Sequence, residues 1–305
     1  MRGSVESCNL SPPSNYDYKA TETELQNKYG FKNLGEGGFG VVLGNEACAI
    51  KLIKDVKRCP ELAKEKDIYQ AIQERLNPGL FKARVPRFNL YGELNTFCHF
   101  NIEKIFSPLS GWGDVYDEDD QHGHGYVLSS QNGKYVLNDI SRNQLLLVGK
   151  NSVYDIDRPG NLIHFYINHF DSSTKIKLDN NQGILLGRDY LEKYFTVQMI
   201  QEYIKEIGKL LSFLIFQVGI LPTDIEVVLG STNKENREVT PFIYDFNEAS
   251  FFKSINDNVI ARSLYNKNGR FYFPNNKNPY YSFFREGFLS YGSQSVLDEY
   301  NNLFQ

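Results

Sequence analysis

The sequence predicts an α+β fold of two lobes: a β-rich N-terminal lobe over about 28–108, inserted β-hairpins over 110–190, and a reduced helical C-terminal lobe over 191–305. Three observations carry this. The stretch YGFKNLGEGGFGVVLGNEACAIKLI holds two apolar, strand-like runs around a glycine-rich turn. Apolar residues recur at threes and fours from Met199 to Val218, the mark of a helix with a broad buried face. Two short apolar runs, IEVVLG and PFIYDF, then flank the polar segment STNKENREVT and read as a strand pair.

Taken in order, residues 1–20 carry adjacent prolines, several serines and little apolar content, and are expected to be a disordered tail on a domain spanning 21–305. Beyond the glycine turn, CPELAKEKDIYQAIQERL reads as a helix. Pro60 suits its first turn, and Leu62, Ile68, Ile72 and Leu76 can share a face. RVPRFNLYGEL and TFCHFNIEKIF read as strands joined by a turn around Glu93–Asn95, so the N-terminal order is strand, strand, strand, helix, strand, strand. Between 110 and 190, GWGDVYDEDDQHGHGY reads as a polar loop. GKYVLNDI, QLLLVGK, LIHFYINHF and STKIKL read as short strands parted by Asn, Gly and Asp turns. The end of the chain shows few strong helical signals but many rings, and Phe271, Tyr272, Phe273, Tyr280, Tyr281, Phe283 and Phe284 are expected to pack a short C-terminal core.

Composition excludes several classes of function. A net charge of −4 and a pI near 5.8 leave no electrostatic footprint for nucleic acid. The most apolar stretch, Ile207 to Leu221, is broken by Lys209, Ser212 and Gln217, too short and too polar to span a membrane. The N-terminus lacks the apolar core of a secretory signal. Cys8, Cys48, Cys59 and Cys98 show no paired spacing. Cys48 and Cys98 lie in apolar runs that suit buried free thiols, which makes the cytosol or nucleus the expected compartment. The run from Asp114 to His124 reads as a solvated acidic loop, and His164 and His169 fall on opposite faces of one strand, unsuited to a shared metal.

Three short motifs carry chemistry. In Gly35-Glu36-Gly37-Gly38-Phe39-Gly40-Val41-Val42 the glycines let backbone approach a phosphate that side chains would block. A dinucleotide fingerprint needs a helix after the glycines; here a second β-rich run follows, which favours a hairpin lying over the phosphates. Lys51, eleven residues beyond Gly40 in Ala49-Ile50-Lys51, sits on an apolar strand, where a cation is costly to bury without an anionic partner. Glu65 on the next helix can supply that partner, with Glu61 the alternative. In Tyr244-Asp245-Phe246-Asn247 a carboxylate directly follows a buried strand, and Asn247 suits a left-handed turn.

In this order and spacing, residues 30–250 resemble the protein-kinase superfamily. The segments NIEKIFSPL, ILPTDIEVVLG and FIYDFNEASFF look like a divergent kinase-like family of uncharacterised function, best represented in fungal proteins. The resemblance implies a two-lobed fold with ATP and Mg²⁺ in the cleft. Gly35, Gly37, Gly40 and Val42 would cover the nucleotide, Lys51 would meet its phosphates and Glu65 would orient Lys51. Glu103 and Ile105 of the hinge strand FNIEKIF would also contact the nucleotide, while Asp245 and Glu226 would hold the metal.

The chain departs from that pattern at the catalytic loop. Where kinases read H-R-D-x-x-x-x-N, this sequence runs from Gly219 to Leu229 with neither histidine nor arginine. Matching the strand Val227–Leu229 to its kinase counterpart puts Glu226 at the metal-binding asparagine and Leu221 at the catalytic aspartate, where leucine cannot accept a proton. Asp224 serves as base only in a rebuilt, shortened loop; otherwise it is a turn or cap residue. Only 58 residues follow Asn247, with no A-P-E, so a peptide-substrate platform is cut down or absent. Three readings stay open: a phosphotransferase using Mg-ATP, a pseudokinase that binds nucleotide or a protein partner without transfer, and a nucleotidyl transferase on the same fold.

Overall fold

The computed structural model describes residues 17–36, 38–45, 49–89, 99–106, 124–131, 134–141, 163–168, 178–179, 183–188, 191–192, 195–232, 239–252, 254, 256–266 and 269–304. The β-rich N-terminal part is one antiparallel sheet. Its strands are β1 (Lys32–Glu36), β2 (Gly40–Gly44), β3 (Ala49–Ile53), β4 (Phe88–Asn89) and β5 (His99–Ile102), in the order β1-β2-β3-β5-β4. Successive side chains of a strand point to opposite faces, and that alternation sorts the core. Val41, Leu43, Ile50 and Leu52 gather with Leu25 and Phe31 on one face, while Ala49 and Ile53 join the main core on the other. Lys51 shares the phase of Ala49 and Ile53, so the strand that buries its neighbours also turns the lysine inward.

Leu25 belongs to α1 (Tyr18–Tyr29), capped at its start by Asp17, which accepts from the Ala20 amide, and closed by left-handed Gly30. This helix corrects the expectation of a tail running to residue 20: one buried apolar residue, Leu25, with half-buried Tyr18 and Tyr29 packed at its ends, is too sparse a pattern to announce it, and it persists by covering the outer face of the sheet. On the inner face lies α2 (Cys59–Arg75), with Leu62, Glu65, Ile68, Tyr69 and Ile72 buried. Leu76 is its C-cap rather than part of that stripe. Cys59, the one described cysteine, is disulfide-bonded, which the lack of paired spacing did not announce; spacing along the chain does not report distance in space. Cys8, Cys48, Cys98, Gly37, the turn at 93–95, the acidic run before His124, QLLLVGK and His169 lie outside the described residues.

The second sheet has the order β13-β12-β8-β10-β9, from β8 (Ile163–Tyr166), β9 (Leu178–Asp179), β10 (Gly183–Gly187), β12 (Glu226–Gly230) and β13 (Thr240–Tyr244). A separate hairpin pairs β6 (His124–Gln131) with β7 (Lys134–Ser141), so the predicted polar loop ends earlier than expected. The expected boundary at 190 is also corrected. Strand β8 hydrogen-bonds antiparallel to β12, and His164, Phe165 and Ile167 are all buried. A strand buried on both faces is a sheet member, not a surface decoration. Arg84 and Phe106 tie the two sheets together, since Arg84 exchanges backbone hydrogen bonds with Pro241 and Ile243, and Phe106 with Ser231.

The amphipathic segment forms α3 (Val197–Phe213), begun by a Thr196 cap on the Met199 amide; a π-helical turn, Leu214–Val218, follows and ends at left-handed Gly219. Short β11 (Ile220–Leu221) pairs with β14 (Ser250–Phe251). Four helices then follow where sequence periodicity was weak: α4 (Asp257–Tyr265), α5 (Gly269–Tyr272), α6 (Tyr281–Phe288) and α7 (Gln294–Asn302). Their packing is aromatic, with Tyr272, Phe273, Tyr280, Phe284 and Tyr300 buried. Helices α3 and α6 cross at glycine: a Cβ on Gly287 would stand 1.9 Å from the Lys205 carbonyl oxygen. Gly287→Ala is therefore expected to force the helices apart and cost about 1–3 kcal/mol, read as a lower urea midpoint with an unchanged slope. Among the described residues no helix is long and apolar enough to cross a membrane.

Candidate functional site

Lys51 lies at the junction of the two sheets. Its Nζ donates to both Glu65 carboxylate oxygens at 2.8 Å and to Asp245 Oδ1 at 2.8 Å. Glu65 is a carboxylate set into the apolar stripe of α2, one turn from Leu62 and from Ile68, and is 1% exposed. The alternative partner is eliminated, because Glu61 pairs with Arg58 at 2.8 Å.

Asp245 reaches Lys51 from β13 by an uncommon backbone. Among the described residues only Asp224 and Asp245 combine a positive φ (57° and 59°) with a side chain. The left-handed position expected at Asn247 is thus taken two residues earlier, by the aspartate itself. Such conformations cost free energy and persist where the surroundings over-determine them. Here Phe246, fully buried, packs edge-on to Tyr69 of α2 with centroids 5.0 Å apart, tying the turn to the helix that carries Glu65. The Thr223–Asp224 turn is anchored in turn by a 2.8 Å hydrogen bond between Thr223 and Ser263.

Glu226 opens β12 directly opposite Tyr244 in the register, and the Tyr244 hydroxyl donates to Glu226 Oε2. Behind it, His164 Nδ1 lies 3.7 Å from the same oxygen and 2.9 Å from the Tyr272 hydroxyl. Burial, and then the charge of Asp245, pushes the Glu226 carboxyl up to about 8, so it holds its proton at neutral pH. Glu65 is pushed up to about 7, by burial first, because the one cation beside it is shared with Asp245. Burial alone would lower Lys51, but the charges of Asp245 and Glu65 outweigh it and hold the ammonium well above its ordinary value. The sequence reading names His164, Tyr272 and Tyr244 but gives none of them a place beside Glu226. They come from three distant segments, and nothing in spacing joins them.

Lys51, Glu65, Asp224, Glu226, Tyr244 and Asp245 share the wall of a cavity of about 320 Å³. The β1–β2 hairpin contributes Gly35, Gly38, Phe39, Gly40 and Val42, and β3 contributes Ala49 and Lys51. Glu65 and Tyr69 come from α2, Ile102, Glu103 and Ile105 from β5 and the segment after it, and Asp224, Glu226, Tyr244, Asp245 and Asn247 from the second sheet and its turns. Every described residue that the sequence singled out for the site lies on this cavity; Gly37 is outside the described residues. Leu221, by contrast, is paired in β11 with Ser250.

No known family model matches the chain, and no curated protein matches it. The chemistry of the site must therefore be read from its own atoms. Of the six carboxylates on the cavity wall, Glu36 pairs with Lys54 at 2.5 Å and Glu103 lies 3.9 Å from Arg84. That leaves Glu65, Asp224 and Asp245 around Lys51, the one cation on the wall among the described residues, with Glu226 beside them as a neutral acid. A bare anionic ligand would meet net repulsion there, whereas an anion carrying its own cation would be matched. Asp245, Glu226 and the amide oxygen of Asn247, buried without a hydrogen-bond partner, are hard oxygen donors of the kind magnesium takes. Among the described residues no group of three or more His, Cys, Asp or Glu forms a ready-made metal cluster.

Proposed function

We propose that this protein is a divergent member of the protein-kinase-like fold, with two lobes closing on a magnesium nucleotide, and that it transfers a phosphoryl group from Mg-ATP to a small hydroxyl-bearing substrate. One observation carries the reading: Lys51 Nζ is held between Glu65 and Asp245, 194 residues apart from the latter in sequence, on the wall of a cavity roofed by a glycine hairpin.

In this reading each residue has a definite task. The hairpin glycines leave room for backbone beside phosphate oxygens. Lys51, locked by Glu65, presents its ammonium to the nucleotide phosphates. Asp245 and, on giving up its proton, Glu226 would hold the magnesium ion, which would supply charge neutralisation at the phosphates. Asp224, on the same wall, is the carboxylate available to accept the proton of an incoming hydroxyl. Transfer of this kind depends mostly on positioning and charge neutralisation, so the missing H-R-D does not by itself abolish it.

Thermal unfolding tests the binding. At a nucleotide concentration a hundred times Kd, stabilisation of about 2.7 kcal/mol is expected with magnesium and ATP together, and little with ATP in excess chelator. Asp245→Asn should erase that difference. No stabilisation at millimolar Mg-ATP would overturn the proposal. The second reading, a binding module without transfer, is favoured by Leu221 at the place of the catalytic aspartate. Mass spectrometry after incubation with Mg-ATP separates the readings: a phosphate-sized addition to a substrate supports transfer, an AMP-sized one supports the nucleotidyl alternative, and binding with neither supports the pseudokinase.

A further inference from the structure

The glycine hairpin is held down by a residue the site does not otherwise use. Arg58 stands just before α2 and makes no side-chain cap to that helix. Its guanidinium instead reaches across to the hairpin tip, where its carbon lies 4.5 Å from the centroid of the Phe39 ring and Nη1 donates to the Gly38 carbonyl at 3.3 Å. The Glu61 carboxylate fixes the other edge of the guanidinium, accepting from Nη2 at 2.8 Å and from Nε at 3.2 Å. The same Phe39 ring centroid lies 5.2 Å from Lys51 Nζ, so one buried ring is attracted by two cations, one on α2's threshold and one at the heart of the cavity.

A hairpin tip rich in glycine has much backbone freedom and few side chains with which to anchor itself. Phe39 is the large side chain at that tip, and a cation against an aromatic face together with a charge-assisted bond to a carbonyl is the strongest attachment the local chemistry offers. Arginine can make both contacts at once because its guanidinium is flat and its donors are forked; a lysine ammonium can supply either the ring contact or the bond, not both in one fixed geometry.

We propose that Arg58 is a positioning residue that clamps the glycine hairpin over the cavity through Phe39 and Gly38, and so sets how long a phosphate-bearing ligand is retained. The clamp stands on the geometry alone; only the identity of the retained ligand rests on the nucleotide reading.

The first arm of the test needs no ligand. Hydrogen exchange of the hairpin amides is followed in the free protein for wild type, Arg58→Ala, Arg58→Lys, Phe39→Leu and the Arg58→Ala/Phe39→Leu pair. Arg58→Ala and Phe39→Leu should each speed exchange there by on the order of tenfold, the pair should fall well short of the product of the two because they share the ring–guanidinium contact, and Arg58→Lys should fall between wild type and Arg58→Ala. Unchanged exchange in Arg58→Ala, or fully additive effects, overturns the clamp. Arg58 is a partly exposed residue, and Glu61→Gln, which loosens it without touching the hairpin, should speed exchange in the same amides as a second check.

The second arm is stopped-flow binding of a fluorescent ATP analogue with magnesium. Dissociation from Arg58→Ala should quicken by on the order of tenfold with association nearly unchanged, the split a lost clamp produces and a general loss of fold does not. Equal dissociation rates in wild type and Arg58→Ala would overturn the role in retention. If hairpin exchange responds as expected while wild type binds no nucleotide, the clamp is supported and the nucleotide reading is the one that fails.

Discussion

Lys51→Met is expected to unfold the protein about 3–5 kcal/mol more easily, because it strands two carboxylates that now share one cation. Glu65 is the decisive one: at 1% exposure it cannot recover water when its partner is removed. The denaturant midpoint measures the loss. A second variant separates stability from function. In Lys51→Met/Glu65→Leu an apolar side chain replaces the stranded carboxylate, and most of the lost stability should return while nucleotide binding stays absent. If the double variant binds Mg-ATP as wild type does, Lys51 has no part in the site; if the single variant is as stable as wild type, the buried ion pair is not what holds α2 against Asp245.

Stability of the ligand-free protein should fall as pH rises from about 5 to about 8. The sign follows from Glu226. Its carboxyl is pushed up to about 8 by burial and by the charge of Asp245, above its ordinary value in an unfolded chain. The folded state therefore binds that proton more tightly. The associated stability is complete below the unfolded pKa and is lost progressively up to the folded one. Each unit of difference corresponds to 1.36 kcal/mol, so the swing is on the order of 3–5 kcal/mol. Glu65, pushed up to about 7, adds to the same slope at its lower end. Glu226→Gln keeps the shape and polarity of the neutral acid. It should match wild type near pH 4, exceed it at pH 9, and leave only the Glu65 part of the slope. Urea midpoints across this range decide the matter, and a wild-type stability that climbs from pH 5 to pH 8 would contradict the assignment of Glu226 as a proton-holding group.

Much of the site was legible because its parts sit next to local signals. Lys51 stands in phase with Ala49 and Ile53, Glu65 sits inside an apolar stripe, and Asp245 follows a buried strand. Period-two and helical patterns announce such positions without knowledge of the rest of the chain. What failed to show is equally specific. Helix α1 buries one apolar residue, Leu25, between half-buried Tyr18 and Tyr29, and is stabilised by a sheet face formed later in the chain. Helices α4 to α7 gain their order from ring-on-ring packing, such as Phe273 on Phe284 and Tyr265 on Phe304, that joins separate segments. Strand β8 looked like an insertion because nothing local says that it pairs with β12, some sixty residues away.

By itself the sequence determined the elements whose periodicity is local: the glycine hairpin and its neighbouring strands, the long helix α3, and the strand pair ending at Asp245. Tertiary structure alone decided which carboxylate Lys51 would meet, that Glu61 would turn to Arg58 instead, and that Asp224 would share a cavity wall with Asp245. The reason is physical. Backbone propensity and apolar periodicity act over a few residues, whereas the partner of a buried charge is selected by the desolvation cost of leaving it alone, and that cost is defined only once distant segments have closed around it.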